Sequence, residues 1–538
     1  MHKLLITVFL FTASASAWSQ QAAKDTSSQG KIIEIISAER YNYQSIDTSQ
    51  FVSLVGKANV KQGNTLFTAD SIVLNQKQNM LEAFGNVHIN DNDSINIYSE
   101  YLKYLGKEKK AYLNNKVKLT DGKGVLTTNN LIYDEQLKIG TYENGGKLVK
   151  GKTTLTSTQG FYYGETKDVH FINKVLLIDP ETRIKTDTLY YNTNTEVATF
   201  VSPTKIYNEK RIINTREGFY DTKNRTAQFG SRPTLEDSTY TFTADRAAID
   251  DKKGLSEYQG NVVYRSKDSI GYDLIANNVK VNKITNSLLA TEKPLLFLKQ
   301  AHDTTIISAD TLYTAQLSQL LKSNRVVPLV RDTGFLTLEL VEKTEKIDSN
   351  TNRFFEAYYN VKIYSDSMQA VGDSLFYSLQ DSTFRLFKNP VVWSQNNQIT
   401  GDTIYLYLQN RKPQRLHVFE NALSVQKLGD KYFNQVRGTN MYGFFKEGKL
   451  DSLRTKGSPA ESIYYGVDDH NKFIGVNKTS SDVIVALFVD GEINRVVFIN
   501  NLQGLSSPMG QVDHTGIRLK RFKWLEELRP KTKFDLLR

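Results

Sequence analysis

A degenerate repeat of 28 to 32 residues begins near Thr65 and returns almost to the end of the 538-residue chain. One copy reads T-A-D-S-I-V-L-N from Thr68 to Asn75 and, after a polar turn, L-E-A-F-G-N-V-H-I from Leu81 to Ile89. A later copy, F-E-A-Y-Y-N-V-K-I from Phe355 to Ile363, keeps the Glu-Ala and Asn-Val pairs in register 274 positions on. A unit this short cannot bury an apolar face alone, so a repeat of this period folds only by stacking on its neighbours. An elongated array is the expected architecture.

The units read as strands. In their first halves the apolar pairs are Ile72 and Leu74, Leu102 and Tyr104, Leu131 and Tyr133, Phe161 and Tyr163, and Leu189 and Tyr191. Period 2 puts each pair on one face. The second halves carry Val87 and Ile89, then Leu113, Val117 and Leu119, then Phe171, Val175 and Leu177. Later copies supply Val361, Ile363, Phe387, Val391 and Trp393. Polar runs such as N-Q-K-Q-N after Leu74 and N-T-N-T-E after Tyr191 are hairpin tips by composition. Inside the second halves lie breaks: Gly85-Asn86, N-N-K before Val117, I-N-K before Val175, and Pro203, Pro233, Pro294 and Pro390 in other copies. Gly and Pro within a strand pattern mark a bend. Each strand is therefore expected to fold over at its middle and serve two facing sheets. With 29 Tyr and 27 Phe among its residues, the chain is all-β.

The organisation follows. Residues 1–20 carry Lys3, an apolar run from Leu4 to Phe11 and small residues from Ala13 to Ala17, the pattern of a signal peptide. Residues 21–315 form a first array, 316–352 an irregular junction, 353–509 a second array, and 510–538 a basic tail. The absence of cysteine excludes disulfides, Cys metal sites and a lipidated N-terminus, so an exported, soluble chain is expected. Net charge is +10, and eight Lys or Arg against three Asp or Glu fall within residues 518–538. Such a balance suits phosphorylated partners, and export argues against nucleic acid. Phe522, Leu525 and Leu528 recur at helical spacing before Pro530, predicting a short C-terminal helix. It either caps the last strand or docks through Lys520, Arg521 and Lys523 on a partner or anionic lipid.

No catalytic constellation is present: no G-x-S-x-G, H-E-x-x-H or P-loop, and seven His without metal spacing. No catalytic residue, metal or cofactor is expected. Asp70, Asp187, Asp310, Asp373 and Asp402 precede Ser or Thr, one per repeat. A calcium site needs several converging oxygens, so these read as Asx caps at strand starts. The inward apolar residues suit either a closed core or the wall of a lipid groove. The many tyrosines favour the groove, because a ring can face acyl chains while its hydroxyl stays wet.

T-A-D-S-I-V-L-N with A-F-G-N-V-H-I resembles the OstA-like (organic solvent tolerance, LptA-type) repeat. The block from Arg353 to Tyr407, with R-L-F-K-N-P-V-V-W and Q-I-T-G-D-T-I-Y-L-Y, resembles the long form of that family. The resemblance covers roughly Ile35 to Pro508. It implies an elongated open β-jellyroll, a V-shaped pair of sheets. It also implies a periplasmic, non-enzymatic protein whose inner face carries the acyl chains of lipopolysaccharide. Open strand edges would join it to other lipopolysaccharide-transport proteins by β-augmentation. Three rivals stand beside it, of which an outer-membrane barrel needs an apolar outward band where the alternate positions here are Lys, Asn, Thr and Glu. A β-solenoid enzyme acting on polysaccharide needs clustered carboxylates, and the aspartates here recur singly. A structural or adhesive surface array needs an anchoring segment, and none is evident.

Overall fold

The computed structural model describes residues 32–46, 49–208, 211–269, 271–299, 304–322, 329–332, 338–341, 353–378, 382–409, 412–470 and 472–537. The expected signal peptide lies outside the described residues, as does much of the 316–352 junction. The chain divides into two compact units, one reaching Leu119 and including Asn130–Leu137, the other holding Thr120–Asn129 and Lys138–Arg538.

In the first unit, Thr65–Asn75 pairs with Met80–Asp91 in two runs, Ile72 opposite Ala83 and Phe67 opposite Ile89, with a break between Thr68 and Ser71. The second unit repeats this where Asp168–Asp179 meets Thr182–Asn192. Further on, the halves of one strand take different partners. Arg353–Tyr364 pairs through its first half with Thr311–Gln316 and through its second half with Thr304–Ser308. Each kinked strand thus gives one leg to each of two ladders. Between the partners Thr311–Gln316 and Arg353–Tyr364 in sequence, Leu317–Lys322 is helical and Leu329–Asp332 pairs antiparallel with Leu338–Val341 in a separate sheet.

The corners explain the repeat's most regular letters. Gly85 and Asn86 have φ of 71° and 45°, and Lys116, Lys174, Asn261, Asn360 and Asn421 are likewise left-handed. A Cβ on Gly85 would lie 2.4 Å from Asp70 Oδ2, so a side chain there must displace that carboxylate; in other copies Asn115, Asn173, Tyr359 and Glu420 take the same left-handed position. Asn86 Nδ2 donates to that same Asp70 oxygen at 2.9 Å. The contact returns from Asn261 to Asp245, Asn360 to Asp310, Asn421 to Asp402 and Asn501 to Asp482, at 2.8 to 3.0 Å. Of the aspartates read as strand caps, Asp70 sits within its strand, while Asp310 and Asp402 stand immediately before Thr311–Gln316 and Thr403–Gln409; all three clasp the corner of a paired strand. Among the described residues no group of acids or histidines could hold a metal ion.

The tips are equally regular. Asp134 and Asn192 open their turns, each side-chain Oδ1 accepting two backbone N–H groups at 2.9 to 3.0 Å. Each turn closes on a left-handed residue: Asn79, Lys109, Lys138, Lys167, Glu196 and Arg225.

Candidate functional site

Within each unit the face between the ladders is mostly apolar, with buried polar side chains such as Ser99, Thr153 and Thr186 towards the leg ends. Ile72, Leu102, Leu113, Phe171, Leu177, Leu189 and Tyr191 are fully buried. Leu74, Val87, Ile89, Tyr104, Val117, Leu119, Leu131, Tyr133, Val175, Val361 and Ile363 are 1 to 3% exposed. Rings touch across the gap, Phe67 with Tyr104 at 4.6 Å in the first unit and Phe242 with Tyr258 at 4.2 Å in the second.

Five residues read as inward face the other way. Phe161 and Tyr163 are half-buried on the outer face, while Gly160 and Tyr162 point in. Register decides this, because Tyr162 opposes Val169 and Gly160 opposes Phe171. Gly160 is fixed there: a Cβ would lie 2.4 Å from the Tyr142 hydroxyl. The repeat steps here by 29 residues, and an alignment offset of one residue flips every side chain to the other face. Phe387, Val391 and Trp393 are also on outer faces. Leu386 and Val392 take the inner positions, opposite Leu375 and Ala370. Trp393 is nevertheless fully buried.

Opposite the corners, the two ladders meet. In the first unit the Tyr104 hydroxyl, at the end of one leg, lies 2.5 Å from Gln62 Oε1, at the end of the facing leg, and also meets the Glu135 carboxylate. One repeat on, Tyr133 donates to Asp91 Oδ2 at 2.6 Å, and Thr65 donates to Asp91 Oδ1. Gln62 and Asp91 are each 1% exposed. In the second unit Tyr162 lies near the Asp121 carboxylate without a well-formed hydrogen bond, and Lys167 approaches the same group at 3.7 Å. Tyr220 bonds Thr182 and Asp179 at 3.3 and 3.4 Å, and Arg211 reaches Asp251 at 3.2 Å. Burial, joined by the neighbouring carboxylates, raises the hydroxyls of Tyr104 and Tyr162 well above the usual phenol range. Burial likewise pushes Tyr220 up to about 12. In each unit, buried tyrosine hydroxyls beside acids, amides or threonines therefore line the side opposite the corners. Tyr104, Tyr133, Tyr162, Tyr191 and Tyr220 recur every 29 residues, and Gln62, Asp91 and Asp121 at 29 and 30. That parallel spacing is the signal that would have exposed the seam.

Later strands are buried on both faces; Val391–Ser394 and most of Ala422–Leu428 have no exposed side. The cause on one face is the chain's own end. The stripe read as a helix through Phe522, Leu525 and Leu528 forms only a 3₁₀ turn at Glu526–Leu528. Its surroundings are an extended strap running back over the outer face of one ladder. Gln369, Trp393, Gln398, Val425, Gln435 and Ile463 are successive register partners on that face. Leu519 packs with Ile463 and Tyr465, Phe522 and Trp524 with Val425 and Phe433, and Leu536 with Leu295 and Ile306. Side-chain amides hold its backbone: Leu519 N–H donates to Gln435, and Gln398 bonds both Lys523 O and Leu525 N–H, all at 2.7 to 2.9 Å. Arg529 donates twice to Gln369. Lys520, Arg521 and Lys523 stay exposed on the strap's outer side.

Both ends of the strand series are unpaired among the described residues. Glu34–Ser37 and Arg40–Ile46 pair only with Ser49–Gln62, and every residue in them is exposed. Tyr41 and Tyr43 stand opposite Leu54 and Val52, continuing the inner face into solvent. At the other end Gln503–Pro508 leaves Leu505 69% exposed.

Residues 31–187 and 173–245 match the family model described as OstA-like protein. Residues 241–412 match the model described as LptA/(LptD N-terminal domain) LPS transport protein. A comparison with curated proteins gave no match. Among solved structures the chain is similar to LptH, the LptA homologous periplasmic component of the lipopolysaccharide transport device of Pseudomonas aeruginosa. Identity is 15% over 32% of this chain and 80% of that one, with a TM-score of 0.15.

Proposed function

The chain belongs to the OstA-like family of lipopolysaccharide-transport proteins, and from that premise we propose that it is a periplasmic bridge carrying lipopolysaccharide towards the outer membrane. The acyl chains travel between the two ladders; the phosphorylated sugars stay in water at the seam. The observation that carries this reading is the combination, within each unit, of a mostly apolar inner face with a polar seam on one side of it. Corners join the legs covalently on one side. On the other, side-chain contacts such as Tyr133–Asp91 link them among the described residues, so that side can part. Each CH₂ moved from water to the inner face gains about 0.8 kcal/mol, enough for a multi-chain lipid to offset several broken seam contacts. No step of such carriage requires catalysis. The exposed terminal strands fit edge-to-edge pairing with other transport proteins.

The chain has no cysteine, so a locked seam can be built cleanly. Cysteines at Gln62 and Tyr104, joined by a short bis-maleimide, would tether the legs. The tethered protein is expected to lose lipopolysaccharide binding, and the same variant untethered to retain it. Equal binding by both would refute entry through the seam.

A further inference from the structure

We propose that the outer side of the C-terminal strap is a docking surface for an anionic phospholipid membrane. The strap alternates: Leu519, Phe522 and Trp524 go into the sheet, and Lys520, Arg521 and Lys523 go out. Beyond Pro530, Leu536 is buried while Lys531 and Lys533 are exposed. Between and beside these cations stand Leu528, Phe534 and Leu537, 49%, 62% and 53% exposed. Elsewhere the strap buries its apolar side chains, so three uncovered ones beside five cations make a surface distinct from the rest.

The acids nearby offset part of this charge and leave Lys520, Lys523 and Lys533 outside those ion pairs. Asp402 lies 3.8 Å from Arg521, and Glu526 pairs with Lys531 at 3.6 Å. Asp535 caps its own 3₁₀ turn, accepting from Thr532 N–H at 2.8 Å. Only Glu527 is exposed among the strap's last acids. A solvated basic tail would also carry this charge, but would leave it on a mobile chain. Here buried amides of Gln398 and Gln435 fix the backbone and so fix the cations in place. Cations flanking exposed aromatic and aliphatic groups match an anionic interface: headgroup phosphates take the charges and the acyl boundary takes Leu528, Phe534 and Leu537. Protein partners of acidic character fit the cations but leave the three apolar groups unexplained.

The test uses the full mature chain and vesicles without lipopolysaccharide, so its outcome is separate from that of lipid carriage. Co-sedimentation should favour phosphatidylglycerol over phosphatidylcholine vesicles by at least about tenfold and weaken with salt. The K520E/R521E/K523E variant should lose at least about tenfold of that binding. Its melting and Trp524 emission should be nearly unchanged, because all three side chains are exposed and the one ion pair removed, Arg521–Asp402, lies at the surface. Reversing Lys147, Lys185 and Lys205, exposed cations far along the chain, should leave binding intact. Should the strap reversal undock the strap, Lys531→Gln with Lys533→Gln carries the same test. The proposal is overturned if wild type binds both vesicle types equally, or if the strap reversal retains full binding. Equal loss in the remote reversal would show net charge acting alone and would overturn it too.

Discussion

Replacing Tyr133 by Phe removes one hydroxyl and tests whether the seam holds the legs together. Its hydroxyl donates to Asp91 Oδ2 at 2.6 Å, and Asp91 is 1% exposed. Hydrogen bonds to charged groups contribute about 1.5 to 3 kcal/mol, and a buried carboxylate deprived of a donor retains its desolvation cost. Taking about 2 kcal/mol, the population with this stretch of seam parted should rise about 30-fold. Hydrogen exchange reads that population locally. Amides near Asp91 and Tyr133 should exchange about 30-fold faster, while amides at the Gly85–Asn86 corner, braced by the Asp70 contact, should change little. A uniform acceleration would mean that the variant destabilises the whole fold and that the seam is not a separate opening. No acceleration would mean that Asp91 finds another donor and that the seam is not held by this bond. Asp91→Asn with Tyr133→Phe completes a double-mutant cycle; a coupling near zero would also defeat the reasoning.

Other consequences are open to direct measurement. Asn86→Ala should cost about 2 kcal/mol in denaturant unfolding, combining a left-handed residue with the lost bond to Asp70, whereas Asn86→Gly should cost about half that. Tyr220 has its hydroxyl raised by burial to about 12 from 10.0. A raised folded value means that its contribution is complete below pH 10 and lost as pH rises towards 12. Tyr220→Phe should therefore flatten the alkaline fall in melting temperature over that window, and an unchanged profile would count against it. Burial lowers His417 from 6.5 to about 4, so the unfolded chain takes up its proton first and stability falls from pH 6.5 towards 4. His417→Phe should remove that acid-side slope, read by thermal melts across the same range.

Much of this architecture is legible in the sequence because its rules are local. The bend residues Gly85-Asn86 and Pro203 mark corners, and the Asn- and Asp-led turns mark tips, since both are set by backbone conformation at those positions. Phase is harder. Phe161, Tyr162 and Tyr163 are consecutive aromatics, so alternation alone does not say which faces inward; the register with Val169 does. Phe387, Val391 and Trp393 mislead for another reason. The strap and other segments bury outer faces, so apolarity no longer marks the inner side. The strap itself is invisible to periodicity because its anchors, such as Gln398 with Leu525, are 127 residues apart. The seam depends on pairs such as Tyr133 and Asp91, 42 residues apart, which only comparison of two separate 29-residue series would have matched.

The most direct test of lipid carriage between the ladders uses two neighbouring positions on one strand. On Lys110–Thr120, Leu113 is fully buried on the inner face and Tyr112 is half-buried on the outer. An aliphatic diazirine amino acid at each position, irradiated in lipopolysaccharide-producing cells, samples the two faces one residue apart. Capture of lipopolysaccharide at position 113 and not at 112 is the predicted result. Capture at 112 alone, or equally at both, would contradict it.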